Sequence, residues 1–167
     1  MTVPDLSFLK DRETILITMV CYGNICRSPM AAAVLSSKVA SITSPTIVVD
    51  SAGTANFHVG EGANPPSQRI WERAGYQYNH RASHFTYSRL VAADLVLVMD
   101  DFNREEVGRL VTNDDEESKI FYLREFDPNS PESLIVPDPY SLPDRAFEEV
   151  LEMVEKSTDG LVAELLR

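Results

Sequence analysis

The stretch VCYGNICRSPMAAAVL, residues 20–35, decides how the whole chain is read. It follows TILITMV (residues 14–20), a short apolar run rich in β-branched residues that predicts a buried strand. It runs on into MAAAVLSSKVA (residues 30–40), which predicts a helix, with Ser28 placed to cap it and Pro29 suited to its first turn. Residues 21–27 are then a tight strand-to-helix turn with Gly23 inside it. Such a turn can aim several backbone N–H groups at one point, and the helix dipole adds positive potential there. Arg27 adds a planar, permanent cation that grips two oxygens of an anion. The same environment favours a thiolate, so Cys21 at the strand end faces a cradled tetrahedral oxyanion as a nucleophile. The Ser28 hydroxyl is close enough in sequence to stabilise that thiolate as it forms and leaves. A cysteine after a strand is by itself an ordinary small buried residue. The joint spacing of Cys21, Arg27, Ser28 and Pro29 is what turns the reading toward chemistry.

Beyond this turn, strands and helices alternate. Strands are predicted at residues 46–54, 94–100 and 119–124, and helices at residues 66–75, 88–93 and 103–111. A long amphipathic helix is predicted over residues 145–167, with a break near Gly160. The alternation predicts an α/β domain with a parallel sheet covered on both faces, spanning residues 1–167 as one unit. Residues 126–144 are rich in Pro, Asp and Ser and predict a long loop over one end of the sheet. A loop of that length in a compact domain is commonly functional, and ligands of such sheets bind beyond the carboxyl ends of the strands. The opening residues 1–12 form an extension with no assigned role.

Composition narrows the partners. With 15 basic and 26 acidic residues the net charge is −11, which disfavours nucleic acid and anionic membranes. Two cysteines five residues apart make no disulfide framework. Three scattered histidines and those two cysteines make no ligand set, so neither a metal nor a cofactor is expected. The opening residues lack the apolar core of a signal peptide, and no apolar run approaches the ~20 residues of a membrane span. A cytoplasmic monomer is the expectation, with export that bypasses a cleaved signal left open.

CYGNICRSPMA (residues 21–31) resembles the active-site loop of the low-molecular-weight protein tyrosine phosphatases. The resemblance extends to DSAGT (50–54), HVG (58–60), HRA (80–82), ADLVLVMDDFN (93–103), DPY (138–140) and FEEV (147–150), in the same order. It is strongest toward actinobacterial members. It implies a flavodoxin-like three-layer domain with a four-stranded parallel sheet flanked by helices. It also implies hydrolysis of phosphotyrosine in proteins through a cysteinyl-phosphate. Cys21 matches the nucleophile, Arg27 the phosphate clamp and Asp138 the general acid and base. A phenolate leaving group does need a proton and a hydrolytic water needs activating, and one carboxyl group can do both in turn. Tyr22, Gly23, Asn24, Ile25, Cys26 and Ser28 match the residues that bind phosphate or hold the loop. Ser51, His80 and Asp100 match supporting residues around it, and Asp100 reads equally well as a helix cap. Phe57 and Tyr140 match the walls of an aromatic slot.

Inorganic phosphate and other oxyanions are the small-molecule partners that such a loop implies. In the family an adjacent cysteine can pair reversibly with the nucleophile, which implies a Cys21–Cys26 disulfide under peroxide. Two departures stand out. The Ala32–Ala33 pair stands where family members usually carry a glutamate on the helix, and Ser141 replaces the second tyrosine of the common DPYY sequence. The rival readings are a protein arginine phosphatase on the same fold, whose members carry a threonine where this chain has Ile25, and a non-catalytic phosphoprotein-binding module. Thiol-based arsenate reduction needs resolving cysteines downstream of Cys26, and the sequence has none.

Overall fold

The apolar runs form one four-stranded sheet in the computed structural model, which describes residues 3–167. The strands are β1 (Thr14–Cys21), β2 (Thr46–Gly53), β3 (Leu95–Val98) and β4 (Ile120–Tyr122). All pairings are parallel and the spatial order is β2-β1-β3-β4. The helices are α1 (Arg27–Val39), α2 (Pro65–Arg73), α3 (Tyr87–Ala92), α4 (Asp101–Gly108), α5 (Asp114–Glu117) and α6 (Asp144–Leu165). None is long and apolar enough among the described residues to cross a membrane.

The period of two along each strand sorts the core into two layers. Ile15, Ile17, Met19 and Cys21 of β1, with Leu95 and Leu97 of β3, join Met30 and Leu35 of α1 and Phe147, Val150 and Val154 of α6. Val20, Val96 and Val98 face the other way, onto Leu90 of α3 and Val107 of α4. A parallel strand buried on both faces must be apolar at every position, which is why LVLV of β3 shows no alternation. This is the doubly wound, flavodoxin-like three-layer arrangement.

Strand order also positions the site. From β1 the chain steps outward to β2, then crosses back over β1 to β3. The direction reverses between β1 and β3, so the turns that follow these two strands lie side by side at their carboxyl ends.

Several expectations are corrected. Ser28 does not cap α1; the helix starts at Arg27 with Cys26 at the cap position, and the buried Ser28 hydroxyl turns to Cys21 instead. No break occurs at Gly160, because α6 is continuous. That glycine marks a close approach: a Cβ there would lie 1.7 Å from the Phe126 carbonyl oxygen. Helix α5 was not expected; its DDEE sequence has no apolar period, and the Asn113 side chain caps it by accepting from the Glu116 N–H. Within the opening extension, which carried no expectation, Leu6 and Leu9 are buried in the main core, and Arg12 pairs with Asp94.

Candidate active site

Cys21 is the last residue of β1 and pairs in register with Gly53, the last of β2. The turn after Cys21 rides directly over that glycine. A Cβ on Gly53 would sit 2.7 Å from the Tyr22 carbonyl and 3.0 Å from the Asn24 nitrogen. The turn also needs one left-handed residue, and Asn24 takes it at φ 56°.

Asn24 is fully buried and its side chain is wired at both ends. The Ser83 backbone N–H donates to Asn24 Oδ1 at 2.9 Å, which sets the orientation of the amide. Nδ2 therefore faces two hydroxyls, donating to Ser28 Oγ at 2.7 Å and Ser51 Oγ at 2.9 Å. Since Ser28 Oγ already accepts from Asn24, its own hydrogen is free to point at Cys21 Sγ, 2.9 Å away. His80 Nε2 lies 2.6 Å from the Asn24 carbonyl, an acceptor only, so Nε2 carries the proton. Burial lowers the His80 pKa more than this hydrogen bond raises it, and the nearby Arg81 charge lowers it further.

Arg27 opens α1 and is almost wholly buried. Its Nη1 donates to Asp100 Oδ2 at 2.6 Å and to the Val136 carbonyl at 3.0 Å, which uses both Nη1 hydrogens. The Nη2 and Nε hydrogens remain for an oxyanion. Burial opposes the charge, but the facing Cys21 sulfur and the Asp100 carboxylate outweigh it and raise the Arg27 pKa. Asp100 serves in both of its expected capacities at once. One oxygen holds Arg27, and the other caps α4 by accepting from the Asn103 N–H at 2.8 Å.

The long loop is pinned where it matters. Val136 is fully buried, donates its N–H to the Met99 carbonyl and accepts from Arg27. Two residues on, Asp138 is half exposed, with Oδ2 3.8 Å from Arg27 Nη2. The Tyr140 N–H donates to Asp138 Oδ1 at 3.1 Å, so the carboxylate is held by its own turn.

These parts surround one cavity of about 200 Å³, lined by Cys21, Tyr22, Gly23, Ile25, Cys26, Arg27, His58, Asp138 and Tyr140. It is small beside the ~300–1,000 Å³ of ordinary ligand pockets, so it suits one side chain rather than a whole nucleotide. A larger hollow of about 670 Å³ opens at the other end of the sheet, between the N-terminal segment and the end of α6. It brings together Asp5, Lys10, Glu164 and Arg167 but no cysteine or histidine. Cys26 lies on the cavity wall as a neutral thiol: burial pushes its pKa up to about 12, against an opposing hydrogen bond from Asn64.

Of the residues singled out in the sequence, Tyr22, Gly23, Ile25, Cys26 and Tyr140 line this cavity together with Cys21, Arg27 and Asp138. Asn24, Ser28, Ser51, His80 and Asp100 stand behind the turn as described. Phe57 lies outside the cavity lining and is exposed, with its ring 6.1 Å from that of Tyr22. Four contributors were missed. His58 lines the cavity next to Gly23, and HVG had singled it out only as part of a motif. Asn64 holds the turn through its N–H on the Ile25 carbonyl, at 2.8 Å. Ser67 adds a hydrogen bond to the Cys26 carbonyl, at 2.8 Å. Val136 acts through a backbone carbonyl, which no side-chain pattern reveals.

The family model for low molecular weight phosphotyrosine protein phosphatase matches residues 16–167. A low molecular weight protein-tyrosine-phosphatase of Streptomyces coelicolor is 40% identical over 152 residues, covering 90% of this chain and 93% of the relative. Low molecular weight protein-tyrosine phosphatase A of Mycobacterium tuberculosis is 37% identical over 147 residues, covering 87% and 88%. The crystal structure of a protein tyrosine phosphatase from Entamoeba histolytica, with Hepes in its active site, superposes with a TM-score of 0.84 at 28% identity, covering 91% of this chain and 97% of that one. With a match that runs from β1 to the end of α6 and relatives of full length, the chain belongs to the low molecular weight phosphotyrosine protein phosphatase family.

Proposed function

We propose that this protein hydrolyses phosphotyrosine in proteins through a cysteinyl-phosphate, with Cys21 as nucleophile, Arg27 as clamp and Asp138 as acid and base. The observation that carries the proposal is the convergence of these three side chains on one small cavity, with a Ser28 hydroxyl 2.9 Å from the Cys21 sulfur. The phosphate enters between the turn and Arg27, whose free Nη2 and Nε hydrogens meet two of its oxygens. Cys21 Sγ forms a bond to phosphorus as the phosphorus–phenol oxygen bond breaks. Asp138 gives its proton to the departing phenolate oxygen. As a carboxylate, Asp138 then takes a proton from water, whose oxygen attacks phosphorus, and the Cys21 thiolate leaves. The Ser28 hydroxyl donates to that sulfur whenever it carries charge, before attack and after release.

The supporting residues keep this geometry in register. Asn24 holds Ser28, Ser51 and His80 hold Asn24, and Asp100 holds Arg27. The cavity also favours the aromatic substrate, because its walls include Tyr22, Tyr140 and the apolar Ile25, against which a phenyl ring packs.

The test is phosphate release from a phosphotyrosine peptide and from phosphoarginine, by wild type and Cys21→Ser. Release from phosphotyrosine that disappears in Cys21→Ser is expected. Release from phosphoarginine alone would move the substrate to the arginine-phosphatase reading, and release from neither by folded, reduced protein would leave a phosphoprotein-binding module.

A further inference from the structure

Three aromatic rings stand together at the mouth of the cavity without belonging to either core layer. The Tyr22 ring packs at 6.1 Å from Phe57 and at 5.8 Å, edge-on, from Phe102. Their exposures are 40% for Tyr22, 70% for Phe57 and 52% for Phe102. They come from three separate segments: the turn after β1, the loop after β2 and the first turn of α4 after β3. Helix α4 does not need Phe102 for its own packing, since its buried residues are Asn103 and Val107. Contiguous aromatic surface left in water costs solvation free energy, and on soluble proteins such patches mark places where a partner is bound.

We infer that Phe57, Tyr22 and Phe102 form a second recognition surface that takes an aromatic or large apolar side chain flanking the phosphotyrosine of a substrate protein. The inference rests on the phosphotyrosine reading above. Its continuity with the cavity identifies the occupant. Tyr22 is at once a wall of the cavity and the middle ring of the ridge. A phosphotyrosine ring inserted past Tyr22 therefore carries its neighbouring residues across the rim beside Phe57 and Phe102. Charge points the same way. Acidic groups lie near this rim: Asp101 precedes Phe102, and Glu61 sits 3.1 Å from His58. An acidic flanking residue is repelled there, while an apolar one gains ring contacts. Phe102 is the residue that sets this preference without touching the reacting phosphate.

The experiment measures kcat/KM for phosphotyrosine peptides with Phe, Ala or Glu at the positions on either side of phosphotyrosine, and for p-nitrophenyl phosphate, which has no flanking residue. Wild type is expected to prefer the Phe peptide over the Ala peptide by about tenfold, in keeping with the worth of aromatic pairs, and to turn over the Glu peptide slowest. Phe102→Ala is expected to erase most of this preference and to leave p-nitrophenyl phosphate turnover unchanged, which also reports that the variant is folded. Binding of the same peptides to Cys21→Ser should show the same order, with the preference lost in the Phe102→Ala double variant. Equal rates for Phe and Ala peptides in wild type, or a preference that survives in Phe102→Ala, overturns the inference while leaving the phosphatase reading intact. Failure of wild type to hydrolyse p-nitrophenyl phosphate and every peptide removes both.

Discussion

Replacing Asn24 by alanine tests the claim that one buried amide organises the phosphate-binding turn. Three hydrogen bonds vanish: those to Ser28 Oγ, Ser51 Oγ and from the Ser83 N–H. Each is worth about 1 kcal/mol net, and the partners left behind are in a dry environment. Alanine at φ 56° adds a backbone cost of about 1 kcal/mol. The expected loss is therefore about 4 kcal/mol, large beside the ~5–15 kcal/mol of a typical domain. In urea, with a slope of about 2 kcal/mol/M, the midpoint should fall by about 2 M. Asn24→Gly separates the two contributions, because glycine removes the same hydrogen bonds but adopts the left-handed backbone freely. It should recover about 1 kcal/mol relative to alanine. A loss below about 1 kcal/mol for Asn24→Ala would refute the hydrogen-bond reasoning, given what such bonds contribute. Equal stability of the alanine and glycine variants would refute the backbone part.

Further outcomes follow from other parts of the molecule. Asp138→Asn should slow turnover of phosphotyrosine peptide by about 10²–10⁴-fold, since the amide can neither donate the proton nor activate water; steady-state kinetics at unchanged rate would remove Asp138 from this role. Gly160→Ala, which in an ordinary helix adds about 1 kcal/mol, should instead cost about 3 kcal/mol, because the new Cβ overlaps the Phe126 carbonyl backbone at 1.7 Å; a raised melting temperature would show that the contact relaxes freely. His80 has its pKa lowered below the ordinary 6.5, first of all by burial, so just below that pH the unfolded chain binds more protons than the folded one. Stability through His80 is full above 6.5 and is lost as pH falls through that window toward the lowered value. His80→Gln should flatten this part of the urea-midpoint profile, and an unchanged slope would mean that His80 does not titrate there.

What the sequence settled by itself is local. TILITMV and DLVLVMD had to be strands, because an unbroken apolar run of that length buries both its faces only inside a parallel sheet. The Cys21-to-Arg27 spacing reads as a strand-to-helix turn, because Asn24 tolerates the left-handed backbone and Pro29 suits a helix's first turn. Chemistry that resides in side-chain type, namely a thiol, a guanidinium and a carboxyl group, was legible for the same reason. What only the tertiary structure decided lies between segments distant along the chain. Gly160 reads as a helix breaker by composition, yet α6 runs straight through it, and glycine is needed there because the Phe126 backbone occupies the space a Cβ would take. Ser28 reads as a cap, yet Asn24 and Cys21 claim its hydroxyl. Val136 contributes through its carbonyl oxygen, an atom every residue has, so no pattern of side chains could single it out. The Phe57–Tyr22–Phe102 ridge joins three turns that meet only because the strand order reverses between β1 and β3. Periodicity and residue chemistry act within a few residues, whereas close approach and shared hydrogen bonds depend on which segments the sheet brings together.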